Sequence, residues 1–256
     1  KVAEKLDVYP WLDYHYAYSL GNYKFIDESK GFHWSNLDQC VKFSGTTDES
    51  GFIMNHVDIN QHSPKLVGSV LQALKAISNN NNEDLNKNLK QNFHSMELVN
   101  DRRKDMWVAS RWKYYNDFRI FIMGIKGNDE IFDDGLIYEG VWDEPKKFRG
   151  QTGAQDNIIP MEDIFTGVTN FYPDNQLTKY LLDLRTYRPK CIQNFFIDLK
   201  TSKNLPQKIS IAHPMQQAIY QKATNAKQIL WYLKTPTKTK DAEYIAMSLD
   251  DYVEPF

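Results

Sequence analysis

Apolar positions recur at helical spacing in five places along the chain. Ser63-Pro64 reads as a cap followed by proline at the first helical position. After it, Leu66, Val67, Val70, Leu71, Leu74 and Ile77 fall on one face. A second helix is expected from about Leu85 to Val99. A third is expected over roughly Lys104 to Gly124, carrying Trp107, Trp112, Phe118, Phe121 and Ile122. Asp174 can cap a fourth, in which Leu177, Tyr180, Leu181 and Leu184 recur before Pro189 stops it. A fifth starts at His213-Pro214 and runs to about Lys234 with Ile219, Ile229, Leu230 and Leu233. Residues 79–84, Asn79 to Asn82 followed by Glu83 and Asp84, hold no apolar side chain and read as a loop tip. A long stretch from Lys126 to Pro160 shows no period, and strand-like alternation is weak throughout. The pattern predicts a mainly α chain, organised as a single domain over 1–256, without internal repeats.

Composition alters this picture little. Of 256 residues, 41% are apolar and 25% charged, the proportions of a globular chain. There are 31 basic and 33 acidic side chains, so the formal net charge is −2 and a basic nucleic-acid footprint is excluded as the default. Aromatic residues reach 14%, and each ring buries a large area, so the core need not be weak. Cys40 and Cys191 are too few for a disulfide framework or a cysteine metal cage. They fit a reducing compartment, and an intracellular location, cytoplasmic or mitochondrial, is expected. No run approaches the ~18 apolar residues of a membrane span, and no secretory leader is visible. The chain begins at Lys1 rather than Met, as a processed chain or a fragment would.

Candidate chemistry is sparse when read from spacing alone. The histidines are His15, His33, His56, His62, His94 and His213; none has HExxH spacing, and His56 and His62 share no helical face. Glu139, Asp143 and Glu144 surround Trp142, a grouping that suits acid–base work but is more simply a solvated turn before Pro145. The glycine-rich run Phe148 to Gln155 is neither a Walker A loop nor GxGxxG; its small residues suit a backbone lying close to a flat ligand or another helix. Tyr115 and Arg119, four apart, share a helical face, and an arginine beside rings can clamp a carboxylate.

Longer segments carry a resemblance. Gly135-Leu136-Ile137-Tyr138-Glu139-Gly140-Val141-Trp142, and then Glu144-Pro145-Lys146-Lys147-Phe148-Arg149-Gly150-Gln151-Thr152-Gly153-Ala154-Gln155, resemble the "GL-YEG-W-(D/E)P-F-G-(S/T)-(A/G)-Q" run of the indoleamine 2,3-dioxygenase family. Upstream, Lys5-Leu6-Asp7-Val8-Tyr9-Pro10 and Leu20-Gly21-Asn22-Tyr23 resemble its "KL-(L/V)-PP-L-Y" and "L-NW" segments. Arg119-Ile120-Phe121-Ile122-Met123-Gly124 looks like its distal-arginine helix. Downstream, Asp163 to Val168 resemble "FD-LLGI", Leu184 to Pro189 resemble "MR-YMPP", and Gln228-Ile229 resemble its last haem helix.

The resemblance implies the family's helical large domain, with the small N-terminal domain absent, and a b-type haem over which tryptophan is opened by O₂ to N-formylkynurenine. Residue by residue, Phe52 falls on a pocket aromatic, His56 on the distal position, and Tyr114 and Tyr115 on two pocket phenylalanines. Arg119 matches the arginine that holds the substrate carboxylate. Gly150, Gln151, Thr152, Gly153 and Ala154 match the loop over substrate and haem edge, and Asp163 the acid beside the proximal side. At the iron the sequence departs. Where the family reads "R-S-Y-H-x-Q-I", this chain reads Ala223-Thr224-Asn225-Ala226-Lys227-Gln228-Ile229, with Ala226 in place of the proximal histidine and Ala223 in place of a propionate-binding arginine. No histidine follows His213, which lies about 20 Å away along a straight helix. The expectation is therefore a non-catalytic relative without cofactor or metal, acting as a structural or interaction subunit with other proteins. The alternative is a haem b dioxygenase using Lys227, Tyr220 or His213 as ligand. A further alternative is a carrier of a small-molecule acid such as tryptophan.

Overall fold

In the computed structural model the described residues are 2–10, 14–122 and 124–202. The expected fifth helix, together with His213, Tyr220, Ala223, Ala226 and Lys227, lies outside them. The class is mainly α, as expected. The chain forms two compact units that it visits alternately.

The first unit takes residues 2–58, 106–156 and 183–190. It opens with α1 (Val2–Leu6) and a π-helical turn, Tyr14–Tyr18. A small antiparallel pair follows, β1 (Tyr23–Phe25) and β2 (Leu37–Gln39), in which Lys24 faces Asp38. Its central element is α2 (Thr47–Asn60), which runs on past the unit's limit at Asp58. Around α2, Phe52, Ile53, Met54, Asn55, Val57 and Asp58 are all buried. A helix covered on every side has no polar face, and so no apolar stripe to betray it. This is why periodicity did not anticipate it.

The expected helix over 104–124 is broken. It forms α5 (Met106–Ala109), a 3₁₀ turn at Trp112–Tyr114 and α6 (Tyr115–Ile122). The break sits at Arg111, whose backbone is extended and whose N–H donates to the Asp48 carboxylate at 2.8 Å, outside any helical ladder. Trp112 and Phe121, two of the apolar residues of the expected helix, are 57% and 51% exposed. Gly51 lets α2 touch α5: a Cβ there would lie 1.7 Å from the Ala109 carbonyl oxygen.

The second unit takes 59–105, 157–182 and 191–202 of the described residues. It is built on a helical hairpin of α3 (Ser63–Ser78) and α4 (Asn82–Arg103). Small residues Ser69, Ala73 and Ala76 are buried beside Leu66 and Val70, whereas Leu71 is 47% exposed, so the buried stripe is rotated from the one expected. Ser63 is not the cap; its hydroxyl donates to the Asn60 carbonyl, and His62 stands before the first turn. The loop at 79–84 is shorter than expected. Asn81 caps α4 by accepting the Asp84 N–H at 3.0 Å, which draws Asn82, Glu83 and Asp84 into the first helical turn. The turn before it holds Asn80 at φ 51, a left-handed conformation that asparagine tolerates. Three further helices follow along the chain, α7 (Ile158–Phe165), α8 (Gln176–Arg185) and α9 (Lys190–Thr201). Asn175, rather than Asp174, caps α8 through the Thr178 N–H. Among the described residues no helix is long and apolar enough to cross a membrane.

Candidate functional site

The first unit gathers most of the expected site residues around α2. Phe52 and His56 lie one turn apart, with ring centroids 4.7 Å from each other. Phe52 also meets Tyr115 at 5.1 Å and Phe118 at 5.5 Å, both from α6. Tyr114 is not part of this cluster. It sits in the 3₁₀ turn with the Arg111 guanidinium 4.4 Å and the Lys113 ammonium 4.9 Å from its ring centre. One residue of rotation separates the two tyrosines, and only Tyr115 points inward.

His56 Nδ1 is 2.8 Å from the Phe52 carbonyl oxygen. A carbonyl only accepts, so Nδ1 carries a proton and donates it in this hydrogen bond. Nε2 faces Gly153: a Cβ on that glycine would come within 2.6 Å of it. Tyr14 closes another side, with its ring set edge-on to His56 and its hydroxyl donating to Asp156 Oδ2 at 3.2 Å. Burial and then the Asp156 charge push the Tyr14 hydroxyl well above the ordinary tyrosine range, so it remains a phenol.

Arg119, one turn beyond Tyr115, is half-buried. Its Nη1 is buried with no hydrogen-bond partner among the described residues. The Tyr18 hydroxyl is likewise buried and unpartnered. Burial, then the neighbouring Tyr115, raise the Tyr18 hydroxyl, while Arg119 acts in the opposite direction. Two unanswered donors near an aromatic wall suit an acceptor group such as a carboxylate.

The glycine-rich run behaves as one rigid turn. Thr152 and Gln155 form a capping box, each side chain bonding the other's backbone, and Gln155 Nε2 donates to the Gly150 carbonyl. Gln151 and Gln155 are buried.

Asp163 belongs to the second unit, where it is buried and accepts from the Tyr172 hydroxyl. The neighbouring Glu162 is fully buried and accepts from Asn92 Nδ2 at 2.9 Å. The acids Glu139, Asp143 and Glu144 are exposed, on the turn closed by the Leu136–Lys146 bridge, and face solvent. Among the described residues no three metal-binding side chains converge. Sequence reasoning missed Tyr14, Tyr18, Glu162 and Arg188. Only Glu162 left a trace, as an acid inside the apolar run Ile158 to Phe165.

A family model described as indoleamine 2,3-dioxygenase matches residues 1–232. Indoleamine 2,3-dioxygenase 1 of Rattus norvegicus is 27% identical over 203 residues, 79% of this chain and 49% of the rat protein. Indoleamine 2,3-dioxygenase 2 of Mus musculus is 27% identical over 181 residues, 70% of this chain and 44% of its own. A myoglobin of Haliotis madaka is 32% identical over 96 residues, 38% of this chain and 24% of its own. The chain spans about half the length of the curated dioxygenases it matches. With the family pattern matched over most of its length, the chain belongs to the indoleamine 2,3-dioxygenase family.

Proposed function

We propose that this chain is a haem-free, non-catalytic member of its family, kept as a structural or interaction subunit of a larger assembly. The observation that carries the reading is Ala226, at the position of the family's iron-binding histidine, with Ala223 at that of the propionate arginine. Alanine offers no ligand atom, and haem held without an axial ligand loses both affinity and tuning. On the distal side, His56 donates an Nδ1–H hydrogen bond to the Phe52 carbonyl and sets Nε2 against Gly153.

The test is an absorbance spectrum and iron count on purified protein, before and after adding haemin. The expected result is no Soret band and no stoichiometric uptake. A Soret band with about one iron per chain overturns the proposal. Ala226→His combined with Ala223→Arg is expected to create haemin uptake in the same fold. Native mass spectrometry of the chain isolated from its source is expected to show a stable hetero-assembly.

A second reading is favoured by the Arg119 Nη1, which has no hydrogen-bond partner among the described residues and lies beside an aromatic wall. That arrangement suits the carboxylate of an aromatic amino acid, and tryptophan is the substrate of the family. The chain would then bind such an acid, either alone or as a haem dioxygenase with Lys227, Tyr220 or His213 as ligand. A thermal shift with tryptophan that Arg119→Ala abolishes supports acid binding; formation of N-formylkynurenine supports the dioxygenase.

A further inference from the structure

Arg188 is 1% exposed, yet it carries a guanidinium into the first unit. Its Nη2 donates to the carbonyls of Asp156 at 2.8 Å and Ala154 at 3.2 Å, and its Nη1 to that of Leu184 at 3.2 Å. Burial, and then the neighbouring Arg185, pull this guanidinium down to about 10. The Ala154 and Asp156 carbonyls belong to the turn that sets Gly153 against His56 Nε2. Two more anchors come from the same short segment. The Arg149 N–H donates to the Tyr187 hydroxyl at 3.2 Å, and the Arg149 side chain pairs with Asp183. Residues 149–156 are thus bolted at both ends to residues 183–188.

We infer that Arg188 is a positioning residue that locks the segment 150–156 shut over His56. A charged donor that answers two carbonyls of a half-buried turn resists its opening, because opening leaves the buried guanidinium without those acceptors. A cover that must lift for a substrate is drawn from weakly held structure. This one is strongly held. The inference deepens the haem-free reading, since it says what keeps the retained loop closed. It rests on hydrogen bonds alone, so haem uptake would sink that reading and leave this one standing.

The test is amide hydrogen exchange by mass spectrometry on the full chain, joined to modification of His56 by diethyl pyrocarbonate. In the wild type, amides of 150–156 are expected to exchange as slowly as those of α2, and His56 to resist the reagent. Arg188→Met is expected to raise exchange in 150–156 by roughly tenfold or more, with α3 and α4 unchanged, and to expose His56. Arg188→Lys, with one ammonium for two carbonyls, is expected to fall between. Should Arg188→Met lose global protection, Arg188→Lys and Tyr187→Phe carry the comparison. Fast exchange at 150–156 in the wild type overturns the inference, as does unchanged local exchange across all the variants.

Discussion

Substituting Glu162 by glutamine should make this protein more stable, and only above a definable pH. Glu162 is fully buried on α7, and burial lifts its carboxyl from an ordinary 4.5 to about 8, with Asn92 opposing the rise and Asp163 adding to it. Asn92 Nδ2 donates to it, while Asn92 Oδ1 is buried with no partner among the described residues. A protonated Glu162 supplies the missing donor, closing an acid–amide pair. The folded chain therefore holds a proton that the unfolded chain has released. Where the native state binds more protons, stability falls as pH rises, so the loss begins near pH 4.5 and is complete near pH 8. At 1.36 kcal/mol per pH unit the full span is worth about 5 kcal/mol, and the part between pH 6 and 8 about 3 kcal/mol. For a chain of this size that is a fall in Tm on the order of 5–10 °C. Glutamine keeps one donor and one acceptor toward Asn92 and cannot ionise. Thermal melts from pH 6 to pH 9 should show the wild-type slope flattened in Glu162→Gln, the two curves diverging as pH rises. If both proteins lose stability in parallel, the carboxyl is already ionised in the fold and the argument fails.

Other perturbations test the packing. Gly51→Ala drives a Cβ into the Ala109 carbonyl and should cost about 3 kcal/mol or more in denaturant unfolding. Asp48→Ala strips the two-pronged bond from Arg111 and leaves the Arg111 N–H unanswered, for an expected loss of about 1–3 kcal/mol by the same assay. Phe52→Ala empties the ring cluster of Tyr115, Phe118 and His56 and should cost about 3–5 kcal/mol. Acidification should act in the opposite sense to Glu162. Hydrogen bonds and ion pairs hold the Asp48 and Asp183 carboxyls below their usual range, so stability should fall as pH drops below about 4, read by circular dichroism.

Much of the helical class was legible because α3, α4 and α8 each keep a polar side, and periodicity records the contrast. It failed for α2, which is covered on most sides and buries Asp48, Glu49, Asn55 and Asp58 along with its apolar residues. A pattern that counts polar residues as outward reads such a segment as loop. The break at Arg111 was illegible for a related reason, since its cause is a carboxylate 63 residues away in sequence. For the site, family patterns brought Phe52, His56, Tyr115, Arg119 and the Gly150–Ala154 turn to one unit. They also placed Tyr114 there, and the first-unit geometry turns it outward. Tyr14, Tyr18 and Arg188 stand on a π-turn and a post-helical turn, where neither spacing nor motif marks a side chain as inward.

The buried acids of α2 have a collective effect. Glu49 receives the N–H groups of Phe43, Ser44 and Gly45, Asp58 that of Trp34, and Asp48 that of Arg111. Irregular segments drawn from three stretches of chain thus hang their amides on one helix, as spokes on a hub. Such loops cannot drift independently over evolutionary or thermal time. Insertion into any of them pulls on the same carboxylates, and melting the hub releases them all together, so a unit with little sheet and much irregular backbone can still unfold cooperatively.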